Sequence, residues 1–129
     1  MVSTNEFIGL TRAWGALPGD GSGQIDCCAL AAEMHKRLGY YDYGPELQEI
    51  FAKYDDNSLP PLFIAKWLLK NGKRLKKPEP HAVVLLPSEG VGALGTVLED
   101  ETVLFIGPGG RVVRTALSLI DGWYFRLNK

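Results

Sequence analysis

Apolar residues change their spacing once along this chain. Up to about residue 71 they recur mostly at intervals of three and four, the period of a helix with one buried face. Ser3 or Thr4 is positioned to cap a first helix running to about Trp14, with Glu6 near the capping-box position. Phe7, Ile8, Leu10 and Trp14 give that helix its apolar side. The run from Gly15 to Gly23 holds four glycines and Pro18 and reads as a turn-rich loop. Asp26 caps a second helix, 27–38, in which Cys27, Leu30, Ala31, Met34 and Leu38 recur at helical spacing and Gly39 stops the helix. Pro45 fits the first turn of a third helix, 45–54. Pro60-Pro61 opens a fourth, 61–71, carrying Leu62, Phe63, Ala65, Trp67, Leu68 and Leu69 and ending at Gly72.

Beyond Lys77 the apolar positions run in short blocks separated by turn residues, the texture of strands. The blocks are 82–86, 93–98, 102–106, 111–115 and 122–127. Glu99-Asp100-Glu101 forms one turn and Gly107-Pro108-Gly109-Gly110 another. Helices first and an antiparallel meander second is an α+β arrangement. The length, 129 residues, suits one domain spanning 1–129.

Composition narrows the function classes. Hydrophobic residues make up 46% and the formal net charge is -1, which supports a core and argues against a nucleic-acid partner. The basic cluster Lys70 to Lys77 is a local exception, read as a solvated loop able to touch an acidic surface. No apolar run approaches the ~20 residues that span a membrane, and the N-terminus lacks a signal-peptide pattern, so a soluble protein made in the cytoplasm is expected. Cys27 and Cys28 are adjacent, a poor geometry for a disulfide. With no CxxC or HxxxH spacing, the two cysteines and two histidines predict no metal or cofactor. Asp55-Asp56-Asn57 lacks the further oxygen ligands of a calcium loop. Tyr40-Tyr41-Asp42-Tyr43 reads as packing over a helix end or as a contact patch.

One segment carries chemistry: Trp14-Gly15, the glycine-rich loop, then Asp26-Cys27-Cys28-Ala29-Leu30. In the first turn of a helix, unpaired N–H groups and the positive end of the dipole stabilise a thiolate, which suits a nucleophile. The plainer alternative is a small buried core residue.

Trp-Gly, a glycine-rich loop and Asp-Cys-x-x-Leu at a helix start together resemble the opening motif of the NlpC-type cell-wall cysteine peptidases. That resemblance implies a minimal papain-like fold, with a cysteine-bearing helix against an antiparallel sheet. Pro80 to Leu86 is similar to the family's first core strand, Ala93 to Leu98 to the second and Thr102 to Ile106 to the third. Gly107 to Arg114, followed by Leu117 and Trp123, resembles the versions encoded in bacteriophage tail operons. The likeness covers about residues 13–127.

The departures from the family pattern bear on activity. The family's second strand opens with the histidine that serves as general base; here Ala93 stands there. A polar residue on the third strand orients that base; the matching positions here are Leu104 and Phe105. Neither alanine nor those apolar side chains can accept or relay a proton. His35 lies eight residues after Cys27 on the same helix, ~12 Å along the axis. His81 precedes the first core strand and reaches the thiol only if the register differs from this reading. The resemblance therefore implies a catalytically degenerate domain: a structural component of a tailed-phage virion, in the tail tip or baseplate hub region. Its partners would be other tail and baseplate proteins, and its location the virion. The alternative is an active cysteine peptidase or amidase cleaving peptidoglycan during phage DNA entry, with Cys27 as nucleophile and His81 as a displaced base.

Overall fold

The computed structural model describes residues 3–54, 62–86, 93–107 and 109–128. Among these, three helices and a six-stranded antiparallel sheet give a mixed α+β fold. The helices are α1 (Cys27–Arg37), α2 (Gly44–Phe51) and α3 (Phe63–Asn71). Strands β3 (Gly72–Leu75), β4 (Val83–Leu86), β5 (Ala93–Val97), β6 (Thr102–Ile106), β7 (Val112–Ala116) and β8 (Trp123–Leu127) follow. They lie in the order β3-β8-β4-β5-β6-β7. Two short strands, β1 (Thr11–Arg12) and β2 (Gln24–Ile25), pair in parallel before α1.

Alternation along the strands sorts the core. Val83 and Leu85 of β4, Leu94 of β5 and Phe125 of β8 face the helices, where they meet Ala31, Leu47, Phe51, Trp67 and Leu68. Leu30 and Met34 of α1 reach a neighbouring cluster with Phe7, Ile25, Leu98, Leu104 and Val112. Intervening positions Val84, Val97 and Val103 point to the other face, covered by Leu117, Ile120 and Tyr124. Period-2 burial on both faces explains why these strands read as apolar blocks in the sequence.

The expected helix from Ser3 to Trp14 does not form. Gly9 sits at φ +89, and the chain extends through Thr11–Arg12. The edge strand β7 competes for this segment: Gly9 N–H donates to Val112 O, Val112 N–H to Leu10 O, and Arg12 N–H to Gly110 O. Closing a sheet edge satisfies backbone groups that would otherwise stay unpaired. Phe7 is still buried, with the Arg37 guanidinium 4.5 Å over its ring and Glu6 paired to the same arginine.

The basic cluster is likewise not a plain loop. Gly72 to Leu75 forms edge strand β3, paired with β8 from Gly72↔Leu127 to Leu75↔Tyr124. Gly72 permits this: a Cβ there would lie 2.6 Å from Arg126 O. Lysine and arginine on an edge strand also discourage further strand pairing.

The third helix ends at Phe51, with turns to Tyr54, and the fourth begins at Phe63. Pro60-Pro61, Asp55-Asp56-Asn57 and Pro108 lie outside the described residues. The other elements fall within a residue or so of the expected bounds. Tyr43 is buried, its ring 5.5 Å from that of His35 in the last turn of α1 and 5.1 Å from that of Trp67 in α3, so this tyrosine packs over the end of α1. Among the described residues, no helix is long and apolar enough to cross a membrane.

Candidate functional site

Asp26 organises the start of α1. Its carboxylate accepts from the Cys28 N–H at 2.9 Å and the Gly15 N–H at 3.2 Å. Its own N–H donates to Ala16 O at 2.9 Å. One buried carboxylate therefore caps the helix and fastens the glycine-rich loop to it. Gly15, at φ +73, turns the chain so that its N–H can face the carboxylate. The adjacent Trp14 is anchored by its indole N–H donating to Tyr54 O at 3.2 Å, and its ring lies 5.1 Å from Phe51.

Cys27 follows at the first helical position, half-buried, and Cys28 is buried beneath it. The two sulfurs are 3.9 Å apart. The Cys27 thiol is held below its ordinary pKa, chiefly by the Cys28 S–H donating to it, with the Leu94 main-chain N–H and the Arg12 charge adding; burial and the Asp26 charge oppose. Cys28 is pushed well up, because it is the donor of that pair and is desolvated. We assign the anionic character to Cys27: it is the sulfur with the Leu94 N–H and the more exposed of the two.

Cys27 packs against the buried cluster that holds Leu94, the second residue of β5, so the thiol lies by the opening of that strand, where Ala93 stands. Leu104, on β6, is sealed in the apolar cluster around Leu30 and Met34, and Phe105 packs on the opposite face. The chain's two histidines lie elsewhere. His35 is buried, its Nδ1 2.8 Å from Tyr41 O and its ring stacked on Tyr40 at 4.8 Å. Donation to that carbonyl fixes the proton on Nδ1 in the neutral ring, and burial lowers the pKa of this imidazole.

His81 sits in the left-handed region at φ +71, with its N–H donating to Val97 O. The β4–β5 register pairs Leu86 with Ala93 and Val83 with Thr96. His81 is thus at the far end of β5, about 13 Å of strand from position 93 at ~3.3 Å per residue. Both of its ring nitrogens are engaged, Nδ1 with Tyr40 Oη and Nε2 with Glu99 Oε1, each at 2.8 Å. The fold thus brings Cys27 to Ala93 and keeps both imidazoles away.

A cleft of about 600 Å3 lies on another side of α1. Asp26, Ala29 and Glu33 of α1, Gln48 and Phe51 of α2, and Trp14 line it. Cys27 is not among its lining residues, so cleft and thiol are separate features joined through Asp26. Asp26 was legible only as a cap; its second bond to Gly15, and the contributions of Leu94 N–H and Arg12, carry no side-chain signal in the sequence. Compared with protein-family models, curated proteins and solved structures, the chain matches none of them.

Proposed function

We propose that this chain is a catalytically degenerate NlpC-type, papain-like domain serving as a structural component of a tailed-phage virion, in the tail tip or baseplate hub region. The observation that carries the non-catalytic part is a helix-borne thiol with no imidazole beside it: Ala93 occupies the neighbouring position, and His35 and His81 are committed to other partners. A cysteine-bearing helix against an antiparallel sheet is consistent with the family likeness. The virion role and its tail-protein partners rest on the resemblance of residues 107–123 to phage-encoded versions. A thiol lacking a base performs acyl transfer poorly, since proton transfer needs a group within about 2.6–3.2 Å.

Two measurements test the reading. Mass spectrometry of gradient-purified particles should find the protein, cross-linked to tail components; its absence from particles would refute the virion role. Incubation with labelled muropeptides should leave them intact. Cleavage that disappears in Cys27→Ala would instead establish the peptidoglycan amidase or endopeptidase.

A further inference from the structure

We propose that Asp26, Cys27 and Cys28 form a binding site for a thiophilic closed-shell dication, with Zn(II) the leading ion. This inference is independent of the virion reading and stands or falls on its own test. Linear spacing argued against a metal, because the cysteines form no CxxC pair. The fold supplies what the spacing lacks: one ligand atom from each of these three residues, all within 4.8 Å of one another.

The sulfur geometry selects the ion class. Zinc–thiolate bonds are about 2.3 Å, so sulfurs 3.9 Å apart subtend an angle of about 116° at a shared zinc. That lies between tetrahedral and trigonal values. A linear two-coordinate ion would need the sulfurs about 4.6 Å apart at the same bond length. The carboxylate completes a third position. Each Asp26 oxygen accepts one backbone N–H, from Cys28 or Gly15, and keeps a lone pair for a metal. Those two N–H groups are the outer hydrogen bonds that hold the carboxylate in orientation. A fourth ligand would be water, since Cys27 is only half-buried.

Charge also fits. Two thiolates and a carboxylate around a dication leave one net negative charge, at the N-terminal end of α1 and near Arg12, where negative charge is favoured. As each metal–sulfur bond forms, the thiol proton leaves to solvent; no electrons are exchanged, and about two protons are released per ion.

The test uses the full chain, reduced and metal-free, titrated with Zn(II) alone and, in parallel, with Cd(II) alone. Cd(II) should give a thiolate charge-transfer band that saturates at one equivalent. Calorimetry of Zn(II) in two buffers of different ionisation enthalpy should report about two protons released. Mutating an outer-shell partner of a metal ligand costs about 10–100-fold in affinity, so removing a direct ligand in Cys27→Ser should weaken binding by at least ~100-fold and Asp26→Asn by at least ~10-fold, while His81→Ala leaves it unchanged. Cys28→Ser should abolish the band; if that variant fails to fold, Cys27→Ser decides alone. No band at one equivalent, or a band of full size in Cys27→Ser, overturns the proposal.

Discussion

Replacing Asp26 with alanine removes two structural ties at once. The Cys28 N–H loses its cap, and the Gly15 N–H loses the acceptor that fastens the loop. Loss of a cap costs about 0.5–2 kcal/mol. A further bond to a charged acceptor contributes about 1.5–3 kcal/mol. Relief of the buried carboxylate's own desolvation offsets part of this, which leaves about 3 kcal/mol. For 129 residues, the unfolding entropy near 60 °C is about 0.27 kcal/mol per kelvin. Asp26→Ala should therefore lower Tm by about 11 °C in metal-free buffer. Asp26→Ser, whose short hydroxyl reaches the Cys28 N–H but not Gly15, should recover roughly 1 kcal/mol, the capping share. Thermal melts followed by far-UV circular dichroism give the Tm shift, and urea denaturation gives the recovered free energy. A Tm drop under about 3 °C for Asp26→Ala would refute the double role, because about 0.8 kcal/mol can cover a single cap but not a cap and a second bond to a charged acceptor together.

The other predictions concern burial and close packing. Burial lowers the His35 pKa, so the unfolded chain binds a proton between that depressed value and about 6.5, where the folded chain does not. This contribution is intact above about pH 6.5 and is lost as pH falls through that window; urea midpoints measured from pH 7.5 to 5 should show it, and His35→Gln should flatten the curve over this interval. At Gly95 an added Cβ would lie 3.0 Å from Phe105 Cβ and from Val84 Cγ1, so Gly95→Ala should cost about 1–3 kcal/mol, read from the urea midpoint.

What the sequence discloses depends on which interactions decide each element. Helix α1 is local physics: an Asp26 cap, apolar residues at helical spacing and His35, Lys36 and Arg37 in the last turn all agree. Strands β4, β5 and β6 show in their apolar runs because they are buried on both faces. The N-terminal segment misleads because Phe7, Leu10 and Trp14 mimic a helix face, while the edge of β7, a hundred residues away in sequence, captures the backbone. Strand β3 is masked by Lys73 and Arg74, charged because they lie on an edge. At the site, Cys27 and the empty place at Ala93 could be named beforehand. His81 could be placed before the first core strand, but its distance from the thiol hangs on the β4–β5 register, and its ties to Tyr40 and Glu99 leave no mark on residue type.

The central claim is that Cys27 is a thiol without an imidazole partner, and its alkylation rate as a function of pH tests it most directly. With chelator present, iodoacetamide should modify Cys27 ahead of Cys28, the modified residue being identified by peptide mapping. The rate should rise as one titration with a midpoint below that of an ordinary thiol and fade in acid. The same curve should be obtained with His81→Ala. A reactive plateau persisting to about pH 4, as a cysteine–histidine ion pair produces, and collapsing in His81→Ala, would contradict the account.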